Sequence, residues 1–149
     1  SQTGVVGVLA TTQTVSSDNF IRLVAQFEPK AKIILQPCPG LMEQVESLAF
    51  DNIKTEALVN KYLQPLLAAG ADNIVLGCTH YMFLINLIRK IAGSSVQIVN
   101  TAEAVANEVA RRLGQDELLS NSVATREIEL ITTGVKSRLD KQVSVLIGL

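Results

Sequence analysis

Asn73-Ile74-Val75-Leu76-Gly77-Cys78-Thr79-His80-Tyr81 is an apolar run that stops at a glycine, a thiol, a hydroxyl, the chain's one imidazole and a phenol. Preceded by the turn-forming Gly70-Ala71-Asp72, Asn73 to Leu76 reads as a buried parallel strand. The polar group then falls at the C-terminal end of that strand, where open α/β sheets bind ligands. Downstream, Phe83, Leu84, Leu87, Ile88 and Ile91 recur at helical spacing and predict a helix over Tyr81 to Ala92. Cys78 and Thr79 therefore stand at or just before a helix N-terminus. Free N–H groups and the positive dipole end there suit a thiolate and a bound carboxylate.

On either side of this stretch the chain alternates. Val5 to Ala10 predicts a strand closed by the hydroxyl-rich Thr11-Thr12-Gln13-Thr14. Ser16 or Ser17 can cap a helix that starts at Asp18, carries Phe20, Ile21, Val24 and Phe27 on one face, and stops near Pro29. Ala31 to Gln36 predicts a second strand, running into Pro37-Cys38-Pro39-Gly40, where the prolines preclude regular structure. Leu41 to Phe50 reads as a short helix or loop. Thr55 to Ala69 reads as a helix with Leu58, Tyr62, Leu66 and Ala69 on one face, kinked or shortened at Pro65. Val96 to Val99 predicts a fourth strand ending in Asn100-Thr101, with a helix from Ala102 to about Leu113 stopped by Gly114.

This β-α order predicts a flavodoxin-like α/β fold, a four-stranded parallel sheet with right-handed crossovers and helices on both faces. Residues 1–114 would form that lobe, and the polar, aperiodic 115–125 reads as a linker. Residues 126–149 add a strand over Glu127 to Thr133, with charged and apolar residues alternating, and a helix from Lys136 to Ile147. One face of that strand should be wet, so the pair is expected to be an edge element or part of a different sheet.

Composition bounds the function. The chain has 149 residues, a formal charge of −1 and 18% charged residues, so it lacks the basic field that nucleic acid or anionic membrane would need. No run approaches the roughly 18 to 20 apolar residues of a membrane span. Ser1-Gln2-Thr3 has no initiator Met or basic segment and runs into a core strand, so no signal peptide is expected, and sequence is expected to precede it. The two cysteines, distant in sequence, fit a reducing cytoplasm better than a disulfide.

Each candidate residue has a plain reading beside a chemical one. Cys78 alone would be a small hydrophobe at a strand end. Gly77, Thr79 and His80 beside it favour a catalytic thiol with an imidazole as proton partner. Cys38, Cys78 and His80 make three soft ligands without paired C-x-x-C spacing, so no metal is expected and Cys38 reads as a buried turn thiol. Glu43 reads as a solvated helix charge. Glu46 follows the loop of the second strand, on the side of the sheet where Cys78 must lie, and its carboxylate could orient the imidazole. Thr11, Thr12 and Thr14 either cap a helix or contact ligand, and Asn100 and Thr101 carry the same two readings.

At Gly77-Cys78-Thr79-His80-Tyr81 the chain resembles the glutamate racemase family, within the aspartate/glutamate racemase superfamily. Val6-Gly7-Val8-Leu9-Ala10-Thr11 with Thr14, Cys38-Pro39 followed by Glu46, Val99-Asn100-Thr101-Ala102-Glu103 and Thr132-Thr133-Gly134 extend the likeness through most of the sequence. His80 favours the glutamate enzymes over aspartate racemases, which tend to carry glutamate there. Met82 and Asn100 depart from the family's usual proline and aspartate, at positions that carry no chemistry.

The resemblance implies a cofactor-independent isomerase that interconverts L- and D-glutamate with two cysteines, one on each face of Cα. It also implies a cytoplasmic supply of D-glutamate for peptidoglycan, and hence roles in cell-wall biogenesis and cell shape. By position, Cys78 would serve L-glutamate, Thr79 would bind the α-carboxylate with Thr11 and Thr14 near it, and His80 would assist Cys78 with Glu46 beside it. Family members also have a first lobe, with the opposing cysteine in a Cys-Asn-Thr motif that this sequence lacks. Cys38 matches a different, noncatalytic position. The chain is therefore expected to be the C-terminal catalytic half, inactive in racemisation alone, partnered by a first lobe or another chain, with a homodimer left open. A Cys-His hydrolase, a small-carboxylate binding module and an assembly lobe are the rival readings.

Overall fold

β1 (Val5–Ala10) is the strand on which the others are laid. In the computed structural model, which describes residues 1–28, 30–120 and 128–148, β1 pairs in parallel with β2 (Lys32–Pro37) on one side and β3 (Asn73–Leu76) on the other. β4 (Gln97–Asn100) pairs in parallel with β3. The result is the expected four-stranded parallel sheet, in the order β2-β1-β3-β4. After β2 the chain passes back across β1 to reach β3, so the winding reverses between β1 and β3. In a doubly wound sheet the crevice beyond the carboxyl ends of such a strand pair is the ligand position.

The strands form where apolar, largely β-branched runs can be covered. Val8, Leu9 and Ala10 on β1 and Ile74 and Leu76 on β3 are buried. α4 (Ile53–Ala68) packs against β1 and β2 with Thr55, Val59, Tyr62, Leu63 and Leu66 buried, a helical repeat turned slightly from the expected Leu58-centred face. Gly7 lets this helix close in: a Cβ there would stand 2.7 Å from Leu66 Cδ1 and 2.8 Å from Ile74 Cδ1. Pro65 does not end α4, which continues to Ala68.

Between these elements lie α1 (Thr12–Val15), α2 (Asp18–Ala25), α3 (Leu41–Glu46), a 3-10 helix (Thr79–Leu84) and α5 (Ile85–Ala92). α1 was not expected, and Thr11 caps it through Thr14 N at 3.2 Å. Ser17, of the two candidate serines, caps α2. That helix ends at Ala25; Ile21 within it and Phe27 beyond it are exposed, and Pro29 lies outside the described residues.

The chain divides into two compact units, Ser1–Ala102 and Glu103–Leu149. The first contains the whole sheet. α6 (Thr101–Gln115) begins at its end and runs through Gly114 rather than stopping there. Its termination falls later, where Glu117 takes φ 55 and Leu118 N reaches Leu113 O at 2.8 Å. A left-handed residue closing the last turn is a common helix ending, and the backbone requirement is met here by a glutamate. In the second unit α7 (Lys136–Ile147) spans the expected helix. Of the expected strand, Glu127 lies outside the described residues, and 128–133 pair with no strand among those described. Ile128 and Ile131 are accordingly left exposed, at 65% and 80%. The expected linker starts on Gln115, the last residue of α6, and its residues 121–125 are outside the described set. Among the described residues no helix is long and apolar enough to cross a membrane.

Candidate active site

The carboxyl ends of β2, β1 and β3 deliver Cys38, Thr11 and Cys78 to one edge of the sheet. Cys38 N donates to Ala10 O at 2.9 Å and Gly77 N to Leu9 O at 2.8 Å, so both neighbouring strand ends are hydrogen-bonded to the end of β1. Thr11 follows the end of β1 and Cys78 the end of β3, two strands paired in parallel. Cys78 is the N-cap residue of the 3-10 helix, in extended backbone (φ −138, ψ 135).

His80 lies between two partners. Its Nδ1 is 3.8 Å from Cys78 Sγ, and its Nε2 is 3.0 Å from Glu46 Oε1. An ionised carboxylate has no proton to give, so Nε2 is the protonated nitrogen and donates to Glu46. That assignment leaves the Nδ1 lone pair facing the thiol. The imidazole can then accept the Sγ proton, and the resulting imidazolium stays paired with Glu46. His80 and Glu46 are partly exposed, with side chains at 30% and 41%, so the array is open to a ligand from solvent.

Glu46 reaches His80 because α3 is fixed at both ends. At its start, Gly40 adopts φ 85 and supplies no side-chain cap. The preceding carbonyls are instead held by phenols: Tyr62 Oη donates to Pro39 O at 2.6 Å, and Tyr81 Oη to Cys38 O at 3.4 Å. Beyond the other end, fully buried Thr55 donates through Oγ1 to Ala49 O at 2.5 Å, and its Oγ1 lies 3.4 Å from Gln44 Oε1. Leu41 and Val45, both at 0% exposure, seat the helix against the core. Sequence reasoning missed these polar supports. The available signal was tyrosine rather than phenylalanine at two buried positions, since a buried phenol needs an acceptor.

The remaining candidates separate. Cys38 is buried, donates Sγ–H to Gln36 O at 3.2 Å, and has its thiol pushed up to about 12 by burial. It is the turn thiol of the plain reading. Thr79 is exposed beside the array. Thr11 and Thr14 pair through their hydroxyls at 2.8 Å while Thr11 caps α1, so capping is a role both already perform. Thr101 Oγ1 donates to Leu76 O at 3.0 Å, and Asn100 Oδ1 accepts from Ala102 N at 3.1 Å. Both are structural ties. Glu43 is exposed. Among the described residues no group of three or more His, Cys, Asp or Glu side chains could hold a metal ion. A concavity of about 570 Å³ opens at the opposite, amino ends of β3 and β4, beside Asp72 and Gln97, and none of the array lines it.

Comparison with known proteins gives a consistent picture. Over 134 residues the chain is 43% identical to a glutamate racemase of Herpetosiphon aurantiacus, covering 90% of this chain and 53% of the relative. Over 148 residues it is 40% identical to a glutamate racemase of Ectopseudomonas mendocina, covering 99% of this chain and 56% of the relative. The chain thus spans about half the length of the curated relatives it matches. The crystal structure of a glutamate racemase isoform from Bacillus anthracis superposes with a TM-score of 0.87 at 28% identity, over 98% of this chain and 55% of that one. Residues 1–109, which include every strand and the whole Cys78–His80–Glu46 array, match the Asp/Glu/hydantoin racemase model, and the chain belongs to that family.

Proposed function

We propose that this chain is the catalytic C-terminal half of a glutamate racemase, and that Cys78 is its acid–base thiol for L-glutamate. The observation that carries the reading is the Cys78 Sγ–His80 Nδ1 contact at 3.8 Å, backed by Glu46 at 3.0 Å, at the β1–β3 switch point. His80 takes the Sγ proton and the thiolate removes the α-proton. A second thiol on the other face returns a proton to give D-glutamate. Thr79, exposed at the start of the 3-10 helix, binds the α-carboxylate, with Thr11 and Thr14 at the neighbouring strand end. The α-hydrogen is very weakly acidic, so the carbanion has to be stabilised by fixed donors in a site shielded from water, with no cofactor as electron sink.

Cys38 does not serve as the second thiol in this reading, because it is buried away from any ligand and its Sγ–H is already given to Gln36 O. The opposing thiol therefore comes from a first racemase lobe or from another chain, and the present residues alone do not racemise glutamate. Residues 126–149 pack on that lobe, a role supported by the exposed Ile128 and Ile131. The same reading makes the chain cytoplasmic and places it in D-glutamate supply for peptidoglycan.

The test is Cα deuterium uptake in D₂O into L- and D-glutamate separately, with Cys78→Ala as control. Exchange of L-glutamate without inversion, lost in the control, is the expected result. Inversion by this chain alone would show a second acid and refute the half-site claim. No exchange of either enantiomer would refute a working base in this lobe. A Cys78-dependent burst with an activated ester would instead favour the Cys-His hydrolase, which uses the same Sγ–Nδ1 pair. Glutamate binding without exchange that survives Cys78→Ala would favour a binding module.

A further inference from the structure

We infer that Tyr62, seconded by Tyr81, is a positioning residue for the array: it fixes α3 so that Glu46 reaches Nε2 of His80. The inference rests on the Cys78–His80–Glu46 reading and extends it to Tyr62, on a different element, and to Tyr81, which adjoins His80 and donates its backbone N–H to Cys78 O at 3.1 Å. Both phenols are buried, at 5% and 0% exposure, and they come from different elements, α4 and the 3-10 helix. They nevertheless donate to consecutive carbonyls, Pro39 O at 2.6 Å and Cys38 O at 3.4 Å. Those carbonyls immediately precede Gly40, where α3 begins without a side-chain cap, and Cys38 O also accepts from Leu41 N at 3.3 Å.

The two phenols close a mechanical loop. Tyr81 is covalently next to His80, and its hydroxyl ties that segment to the Cys38 carbonyl. From there the chain runs through Gly40 and along α3 to Glu46, the last residue of the helix, which returns to His80 at 3.0 Å. The burial of Leu41 and Val45 sets the depth of α3, and Thr55 holds its far end through Gln44 and Ala49, which leaves the entry to be fixed against a slide along the axis. The Tyr62 hydrogen bond at the entry opposes that slide. An axial shift of about 1 Å would carry the carboxylate beyond hydrogen-bonding distance of Nε2.

His80 is the chain's one histidine, so its imidazole nitrogens can be observed by NMR without assignment. With the ring neutral, the ratio of Nε2–H to Nδ1–H tautomer is read from the nitrogen shifts in the wild-type chain, Tyr62→Phe, Tyr81→Phe and Glu46→Ala. Phenylalanine keeps the ring and removes only the donor, and alanine at position 46 removes the acceptor. In Tyr62→Phe the ratio is expected to fall about fivefold, the size of one ordinary hydrogen bond, toward its value in Glu46→Ala, with far-ultraviolet circular dichroism unchanged. If Tyr62→Phe keeps the wild-type ratio while Glu46→Ala changes it, the phenol is structural only and the inference is overturned, with the array reading intact. If Glu46→Ala keeps the wild-type ratio, the array reading fails and the inference fails with it. Should Tyr62→Phe not fold, Tyr81→Phe decides by the same criterion at the adjoining carbonyl.

Discussion

Gly77 N donates to Leu9 O at 2.8 Å, and the same glycine leaves room for the β1 backbone to lie against the end of β3. A Cβ at position 77 would stand 3.2 Å from both Ala10 Cβ and Leu9 O, and 3.3 Å from Val8 Cγ1. One of those neighbours is a backbone oxygen inside the sheet and has little freedom to move. Gly77→Ala is therefore expected to cost about 1–3 kcal/mol of stability, the range for overpacking a close-packed interior. Thermal melting measures the cost, and a Tm equal to that of the wild type would show that the strand ends part freely.

The two thiols should separate cleanly in alkylation. Cys78 is partly exposed beside an imidazole, whereas Cys38 is 2% exposed with its thiol pushed up to about 12. Iodoacetamide, which reacts with thiolate, is expected to add one label to the native chain, on Cys78, and a second only in denaturant. Peptide mapping that found Cys38 labelled under native conditions would contradict the buried-turn assignment.

Cys38 also predicts how stability depends on pH. Burial raises its folded-state value from 9.0 to about 12, so between those limits the folded chain holds a proton that the unfolded chain has released. Folding then binds protons, and stability present below about pH 9 is lost as pH rises toward 12. Burial raises the Tyr81 and Tyr62 phenols too, which adds loss of the same sign. Denaturant titrations from pH 8 to 11 should show a falling midpoint that is less steep in Cys38→Ala.

At the end of α6, Glu117 holds φ 55 with its side chain in solvent. Left-handed backbone costs a non-glycine L-residue roughly 1–2 kcal/mol. Glu117→Gly removes that strain and keeps the Leu118 N–Leu113 O bond at 2.8 Å. Amide exchange in the last turn of α6 is expected to slow by up to about fivefold, less than the full strain because glycine loses more entropy on ordering. Faster exchange would mean that the side chain itself supports the turn.

How much of this was legible follows from what each pattern encodes. All the strands of the sheet could be read because each is a short apolar run ending in loop-forming residues, and their alternation with helices permits few arrangements. The contact of His80 with Cys78 was legible from their nearness in sequence. Glu46 could be singled out from its place after the second strand, on the side of the sheet where Cys78 lies, but the turn, the uncapped helix and the two phenols that support it have no periodic signal. Helical spacing over Tyr81 to Ala92 could not distinguish a 3-10 start at Thr79–Leu84 from an α-helix, because six residues are too few to separate the two periods. Gly114 reads as a stop, yet glycine costs only about 1 kcal/mol within a helix. What ends α6 is the bond from Leu118 N to Leu113 O, which no residue type announces. Glu127 to Thr133 has the alternation of a strand, but alternation specifies a face and supplies no neighbour to pair with.

The phenol clamp also determines how the molecule behaves in light. The chain has no tryptophan and two tyrosines, so its near-ultraviolet absorption and intrinsic emission come almost wholly from Tyr62 and Tyr81. Both rings are tethered to successive carbonyls of one loop, Cys38 and Pro39. An optical signal that in most proteins averages over scattered chromophores is confined here to the hinge from which the glutamate of the array is suspended. Any event that loosens that hinge can be followed without a label.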